Sequence, residues 1–407
     1  MAKSSDIPQF GMLSGVKVLS SGVVVAEPFA AALMAEHGAD VIHVESTRHP
    51  ETTRCLTLSW AQDARNRRAL SLDLASPKGR EIFCRLLQWA DIWMESSKGG
   101  TYDKWGLTDE YVHSAINPKL VIVHVSGYGQ TGVEEYVKRG SYDPIAQAFS
   151  GYMFLNGAPE PQPPMVAQPG TGDFVTGLFA LWSALAGLVK ASRTGKGEVI
   201  DVSQYESLLR ISAHHPSTYF TTGEQSMRTG NASNMVGGFD VYQCKDGKYV
   251  YVAMNVGSCV KRGISLLGLE NDPDFPPDLR LIRMGTPTAT KLDQAIKNYC
   301  RRFTAQQVDE TFNAAGIPCS EVMEYKQIGE NPQVKARENI VEWFDEASEQ
   351  YVKGIGVLPK VKYSPGRIWR GSAKYGQDNE DILEELGFGE EEIAGLYRDK
   401  IIVKEGV

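Results

Sequence analysis

The segment VKVLSSGVVVAEPFAAALMAEHGADVIHV, residues 16–44, decides the fold of this chain. Residues 16–19 are mostly apolar and predict a strand, whereas the alanine-rich stretch 28–37 predicts a helix that ends at Gly38. Residues 40–44 then repeat the strand pattern. A strand, a helix and a second strand in immediate succession predict a βαβ unit, in which both strands lie parallel in one sheet.

The same alternation continues through the first half of the chain. Further helices are predicted at 76–90, where Ser76 precedes Pro77 as a cap, and at 109–116 and 205–213. The predicted fold class is therefore α/β, with an open and largely parallel sheet. Its remaining strands are predicted at 69–74, 91–95, 120–125 and 198–202.

After a polar stretch at 217–235, the predicted secondary-structure pattern of the chain changes. An alternating pattern around Asp246 and Gly247 predicts a β-hairpin at 242–252. We therefore predict a large domain from residues 1–224 and 326–407 and a small α+β domain at 225–325. Apolar periodicity at 379–397 predicts helices that close the chain.

The composition limits the classes of partner. The 407 residues are 42% hydrophobic and 23% charged, values typical of a soluble globular protein with two or three domains. The 50 acidic residues exceed the 42 basic ones, and the net charge of −8 argues against a nucleic acid or an anionic membrane surface as partner. An anionic ligand therefore needs a local basic patch.

No pattern in the sequence predicts a metal site. The six cysteines are scattered without a C-x-x-C pair, which favours reduced thiols over disulfides or zinc. His214 and His215 are adjacent and lack the spacing of a chelating pair. The first residues lack the apolar core of a secretory signal, so we expect a cytoplasmic protein. The apolar stretch 174–189 is too short for a membrane span and predicts a buried helix.

A literal G-x-G-x-x-G motif, residues 127–132, follows the strand predicted at 120–125. This motif can form a dinucleotide-binding turn. The segment after it is short and polar and ends at Gly140, and no second strand ending in an acidic residue follows at the expected distance. A tight turn that brings backbone close to an active site is the favoured interpretation.

Asp173 has two interpretations. It follows Pro169-Gly170-Thr171-Gly172 and directly precedes the apolar helix, so it is either a helix-capping carboxylate or a nucleophile. A carboxylate at the positive end of a helix can remain ionised near apolar surroundings. Both roles can hold at once.

Basic residues cluster near predicted strand ends. Either they form a solvated face, or they bind a phosphorylated ligand such as coenzyme A, because open parallel sheets bind nucleotides at strand ends. These residues are Arg65, Arg67, Arg68, Lys98 and Lys104.

Taken together, the segments resemble the class III coenzyme A transferases, and among them the carnitine and bile-acid CoA-transferases most closely. The resemblance covers nearly the whole chain, and its strength lies in the order and spacing of many short motifs. These include residues 13–19, 39–42, 67–73, 117–120, 126–129, 142–143, 147–151, 172–173, 194–198 and 381–387.

This resemblance implies a Rossmann-like large domain built from both ends of the chain, a small domain between them and an interlocked homodimer. It implies that Asp173 is the catalytic residue and that Gly237-Gly238 is a glycine loop that moves over an aspartyl intermediate. It implies that coenzyme A is a substrate rather than a tightly bound cofactor. The coenzyme-binding residues that it implies are Val25, Ala26, Leu72, Lys98, Lys104, Tyr142, Asp143, Gly237 and Gly238.

The activity implied by the resemblance is transfer of CoA from an acyl-CoA to a carboxylic acid through an aspartyl-CoA thioester. The alternatives are an acyl-CoA racemase of the same fold, which needs a His and acid pair, and a non-catalytic CoA-binding protein. The sequence departs from the family at Glu27, where a glycine is usual. We expect either that an ionised Glu27 favours a cationic acceptor such as carnitine over a bile acid, or that it caps the helix beginning at Pro28 and faces solvent.

Overall fold

The computed structural model describes residues 3–254 and 257–404, which form two compact units. The second unit is larger than the predicted small domain. It begins at residue 217 rather than 225, ends at 332 rather than 325, and also includes the separate segment 153–166. Buried Arg228 explains that addition, because its guanidinium donates hydrogen bonds to the carbonyls of Phe154, Ala158 and Gln162. The first unit comprises 3–152, 167–216 and 333–404, and the second comprises 153–166, 217–254 and 257–332.

The first unit contains the predicted parallel sheet. Each strand lies within two residues of its predicted bounds: β1 (Lys17–Ser20), β2 (Asp40–Ser46), β3 (Arg68–Leu72), β4 (Ile92–Glu95), β5 (Val121–Ser126) and β6 (Glu198–Ser203). In the described part of the chain the strand order is β3-β2-β1-β4-β5-β6, and every neighbouring pair is parallel. This order reverses between β1 and β4, where open α/β sheets bind ligands beyond the carboxyl ends of their strands.

Helices cover both faces of this sheet. The α-helices of the described chain are α1 (Ala26–Glu36), α2 (Thr57–Asp63), α3 (Pro77–Trp89), α4 (Asp109–Tyr111), α5 (Glu134–Val137), α6 (Asp143–Phe149), α7 (Thr171–Thr194), α8 (Gln204–Ile211), α9 (His215–Thr222), α10 (Ser258–Leu266), α11 (Pro287–Cys300), α12 (Ala305–Ala314), α13 (Tyr325–Glu330), α14 (Pro332–Ala336), α15 (Asn379–Glu385) and α16 (Glu390–Arg398).

Alternation along the strands produces two cores. Val18 and Val41 pack with α1 and α7 on one face of the sheet. Leu19 and Ile42, each one residue later, pack with α3, α15 and α16 on the other. This is the period of two expected of strands buried on both sides. The closing helices near residue 382 therefore complete the core of the first unit.

Helix α7 packs on α1 and the sheet by a stripe of small residues. A Cβ atom at Gly177 would lie 2.6 Å from the Ala26 carbonyl oxygen, so only glycine permits this approach. The opposite face of α7 exposes Leu178, Trp182 and Val189. The helix predicted to be buried is thus buried on one side only. Of the helices in the described residues, α7 alone is long and apolar enough to cross a membrane by length and composition.

The remaining strands form two antiparallel sheets. In the second unit β7 (Phe239–Gln243) and β8 (Tyr249–Ala253) form the hairpin around Asp246 and Gly247, and β9 (Cys319–Glu321) pairs with β8. Helices α10, α11 and α12 contribute to its core. In the first unit, β10 (Ile340–Asp345) and β11 (Gln350–Ile355) form a separate hairpin.

Candidate active site

The site is organised by the first turn of α7. The Gly172 amide donates a hydrogen bond of 2.6 Å to Oδ1 of Asp143, the first residue of α6. A Cβ atom at Gly172 would lie 2.7 Å from that oxygen, so this hydrogen bond requires glycine. Asp143 thereby fixes the turn that carries Asp173.

Asp143 is buried and is itself held by Gln147. The Gln147 amide donates to Asp143 Oδ2 at 2.8 Å and to the Ala167 carbonyl at 3.0 Å, while its Oε1 accepts from the Ala167 amide. Asp143 was predicted to bind the coenzyme. The structure instead places it behind Gly172 and outside the cavity lining, where it supports the start of α7.

Asp173 is the third residue of α7 and is half-buried. Its Oδ1 accepts a hydrogen bond from the side-chain amide of Gln204, the first residue of α8. Burial, followed by the neighbouring Asp143 carboxylate, raises the pKa of Asp173 to about 6, although the Gln204 hydrogen bond opposes this change. The carboxylate is therefore ionised at neutral pH but more basic than an exposed aspartate.

A cavity of about 490 Å³ opens beside Asp173 at the carboxyl edge of the sheet. The predicted residues Val25, Ala26, Lys98 and Tyr142 line it together with Asp173. No described residue of this lining is a histidine, so the acid and His pair of a racemase is not found there. The full lining is residues 23–26, 96–98, 101, 125–128, 137, 139–142, 173 and 204.

A second cavity of about 240 Å³ adjoins the first, because Val23 and Ser97 line both. Leu72, predicted to bind the coenzyme, lies in this second lining rather than in the first. Arg48 and His49 line it together with the acidic residues Glu45, Glu51 and Asp73. The two cavities together suit an elongated ligand.

Lys98 and Lys104, paired in the sequence prediction, are separated by the structure. Lys98 lines the first cavity, whereas the exposed Lys104 lies in neither lining. Arg139, which sequence reasoning missed, also lines the first cavity and stacks on Tyr128 and Tyr136 at 5.8 and 5.9 Å from the ring centres.

The arginines at 65, 67 and 68 form neither a solvated face nor a phosphate site in the described structure. All three are buried. Arg65 pairs with Glu36 at 2.6 Å, and Arg68 pairs with Asp40 at 2.8 Å. Sequence spacing suggested a patch, but Arg65 and Arg68 join buried ion pairs instead, and the Arg67 guanidinium donates to the carbonyls of Ala64 and Pro28 at 3.5 Å.

Glu27 contradicts both expectations drawn from the sequence. It is completely buried, outside the cavity lining, and accepts a hydrogen bond of 3.2 Å from Ser20 Oγ. Burial raises its pKa to about 8 despite opposing contributions from Ser20 and Arg67. Glu27 is therefore neutral at pH 7 and faces neither solvent nor the acceptor cavity.

The G-x-G-x-x-G motif forms a turn. The Gly129 amide donates to Ser126 Oγ at 2.9 Å, and Gly129 and Gly132 have φ of 92° and 112°. The next helix, α5, is a single short turn. The favoured interpretation as a tight turn beside the cavity thus describes its geometry better than a dinucleotide site does.

Gly237 and Gly238 lie in the second unit, directly before β7. Gly238 has a φ of 74°, and a Cβ atom there would lie 2.8 Å from the Met254 carbonyl oxygen. Both glycines line a cavity of about 180 Å³ within that unit. Their predicted action on an intermediate stays a prediction.

Residues 13–379 match the family model described as CoA-transferase family III. The chain belongs to CoA-transferase family III. It is accordingly an enzyme of the class III type that transfers coenzyme A, which confirms the resemblance seen in the sequence.

Relatives of this CoA-transferase include the bile acid CoA-transferase BaiK of Clostridium scindens. The two are 44% identical over 393 residues, covering 96% of this chain and 89% of BaiK. A CAIB/BAIF family protein from Brucella suis has a TM-score of 0.78 at 26% identity, covering 93% of this chain and all of that chain. Rv3272 from Mycobacterium tuberculosis shares the fold, with a TM-score of 0.78 at 21% identity over 92% of this chain and 100% of its own.

Gln204 is the most important site residue of this CoA-transferase that the sequence did not reveal. It lies between the strand and helix predicted at 198–202 and 205–213, at the carboxyl edge of the sheet. That position at a strand-to-helix junction was the available signal. The sequence alone did not reveal that its amide contacts Asp173, because that contact spans 31 residues.

Proposed function

We propose that this enzyme transfers CoA from an acyl-CoA to a free carboxylic acid, with Asp173 as the nucleophile. The observation that carries the proposal is the position of Asp173, a half-buried carboxylate at the start of α7 that borders the larger cavity. A racemase would need a proton-transferring pair, and the described lining offers no histidine for it.

In the proposed reaction, CoA moves from the donor acid to the acceptor acid through covalent intermediates on Asp173. An Asp173 oxygen attacks the donor thioester carbonyl, and the C–S bond breaks to give a mixed anhydride and CoA thiolate. The thiolate attacks the aspartyl carbonyl and releases the donor acid, leaving an aspartyl-CoA thioester. The acceptor carboxylate attacks this thioester, and the released thiolate then attacks the acceptor carbonyl, giving the new acyl-CoA and regenerating Asp173.

We propose different roles for the two Asp173 oxygens. Among the described residues, the side-chain hydrogen bond from Gln204 falls on Oδ1. This contact supports Oδ2 as the oxygen that attacks. Gln204 orients the carboxylate, and the same amide is placed to donate to oxygen charge that develops on the aspartyl group during the thiolate step.

The covalent intermediate provides the direct test. Enzyme mixed with acyl-CoA but no acceptor should gain the mass of CoA less one water, and borohydride should reduce the Asp173 thioester to an alcohol. Hydroxylamine should release the CoA. Absence of any adduct after rapid quenching, together with ternary-complex kinetics, would instead indicate direct transfer.

Coenzyme binding provides a matched pair of variants. Lys98→Ala should raise KM for acyl-CoA about tenfold or more with a smaller effect on kcat, because a charge-assisted contact is lost equally in the bound and transition states. Lys104→Ala should have little effect, since the exposed Lys104 lies outside both linings. Steady-state kinetics on both proteins decide the matter, and an equal rise in KM for both would contradict this placement.

We propose a bile acid rather than carnitine as the acceptor. BaiK is a bile acid CoA-transferase by name, and the one sequence argument for a cationic acceptor is removed by the burial of Glu27. With one acyl-CoA donor, kcat/KM should be higher for cholate than for carnitine. A preference for carnitine would contradict this assignment.

The homodimer implied by the resemblance is also retained as a proposal. Its support is the exposed apolar face of α7, formed by Leu178, Trp182 and Val189. Exposed apolar surface of this kind is typical of a subunit interface. We propose a second copy of this chain as the partner that covers it.

A further inference from the structure

Three neighbouring strands carry ionisable residues in register at the carboxyl edge of the sheet. Glu95 on β4 lies opposite His124 on β5, and His124 lies opposite Asp201 on β6. The proposed reaction uses none of them. Glu95 and His124 are buried, which is unusual for charged groups without a specific partner.

Both ring nitrogens of His124 face carboxylates. Nδ1 lies 2.7 Å from Glu95 Oε1, and Nε2 lies 3.1 Å from Oδ1 of Asp109, a residue of α4. Burial opposes a charged ring, but the hydrogen bonds to Asp109 and Glu95 outweigh it and raise the pKa of His124 to about 10. The ring therefore favours its charged form between the Glu95 and Asp109 carboxylates.

The second Glu95 oxygen connects this pair to the cavities. Glu95 Oε2 accepts a hydrogen bond of 2.6 Å from the Ser97 amide. Ser96 Oγ accepts one of 2.8 Å from the Val23 amide. Val23 and Ser97 line both cavities, whereas Ser96 and Lys98, on either side of Ser97, line the larger one.

Asp201 on β6, the third of these strands, binds the loop that follows β5. Asp201 Oδ2 accepts a hydrogen bond of 2.7 Å from the Gln130 amide. The Gln130 side chain in turn donates to the Ser97 carbonyl at 3.4 Å. The loops after β4 and β5 are thus joined, and His124 lies at the centre of the charges that hold them.

We propose that His124 is a positioning residue for coenzyme A: by fixing Glu95 it fixes the 96–98 segment that carries Lys98 into the cavity. This inference rests on the proposed function only in naming the ligand. Loss of His124 removes the ring that holds Glu95 Oε1, so the Glu95 side chain turns towards water and the Ser97 hydrogen bond weakens.

The test compares His124→Gln with wild type and with His113→Gln. His113 is a partly buried histidine of the same unit whose Nε2 lies 2.9 Å from the Leu120 carbonyl oxygen, outside both linings. His124→Gln should raise both KM for acyl-CoA and the Kd for free CoA about tenfold, with kcat nearly unchanged. Amide hydrogen exchange of the ligand-free protein should accelerate at 95–100 and 127–131. The His113 variant should show none of these changes.

A merely structural role predicts a different result, namely a lower melting temperature and a lower active fraction with KM and Kd unchanged. That result, or unaltered exchange at 95–100, overturns the proposal. If His124→Gln does not fold, Asp109→Asn removes only the half-exposed partner and should shift KM and Kd in the same direction by less. Failure of wild type to bind CoA would refute the proposed function itself, whereas the exchange measurement would still report on the loop.

Discussion

Asp173→Asn is expected to abolish CoA transfer, lowering kcat/KM by about four orders of magnitude or more. The amide preserves the shape of the side chain but cannot supply the anionic oxygen that attacks the thioester. Initial rates of acyl exchange measure the effect. Asp103→Asn, which alters an exposed carboxylate outside the larger cavity, is the matched control and should retain the wild-type rate. A variant at 173 that keeps most of its activity would contradict the nucleophilic role.

The difference in stability between wild type and Asp173→Asn should depend on pH. The reason is the pKa of Asp173, which burial and Asp143 raise to about 6. The folded protein keeps this proton between pH 3.8 and 6, where the unfolded chain has released it, so wild-type stability falls as pH rises through this range. Asp173→Asn has no carboxylate to ionise in this buried position. It should therefore be more stable than wild type by about 1–3 kcal/mol near pH 8, but not near pH 4. Wild-type kcat/KM should increase as pH rises through 6 and then level off.

Glu27→Gln is expected to stabilise the protein by about 3 kcal/mol at neutral pH. The pKa of Glu27 is about 8 in the folded protein against an ordinary value of 4.5. Between these values the unfolded chain loses the proton and the folded protein keeps it, so the free energy of unfolding decreases as pH rises. Glutamine is neutral in both states and can still accept the Ser20 hydrogen bond.

Urea denaturation of wild type and Glu27→Gln from about pH 4 to 8 measures this effect. The two should coincide near pH 4 and separate steadily above pH 4.5, the ordinary pKa. Asp40→Asn is the matched control because it removes a carboxylate that pairs with the buried Arg68, and it should destabilise instead. A Glu27→Gln protein less stable than wild type at pH 8 would show that Glu27 is ionised in the fold.

The sheet and the position of Asp173 at a helix start were accessible from the sequence because both depend on local patterns. Strand and helix periodicity located every strand of the parallel sheet within two residues, and the glycine-lined helix start drew attention to Asp173. Family motifs then favoured a nucleophile over a helix cap. These signals are carried by neighbouring residues and need no knowledge of the tertiary structure.

The supporting groups were not accessible because side-chain partners are distant in sequence. The direction of Glu27 depends on Ser20 and on the helix packed over it, and Arg65 is buried because Glu36 lies opposite. The contribution of 153–166 to the second unit depends on Arg228, more than 60 residues later. Charge alone cannot reveal whether an arginine binds a ligand or another side chain.

The Asp143 hydrogen bond to Gly172 also bears on how the mixed anhydride partitions in the proposed reaction. Burial and the second negative charge that it holds beside Asp173 both make Asp173 a stronger base than an ordinary alkyl carboxylate. In an anhydride the weaker base is the better leaving group. Thiolate attack on the aspartyl carbonyl expels the bound acid, whereas attack on the carbonyl of that acid must expel Asp173. Burial and the carboxylate behind Gly172 therefore bias the donor anhydride towards the enzyme thioester, and by the same effect they make formation of the new acyl-CoA from the acceptor anhydride the harder step.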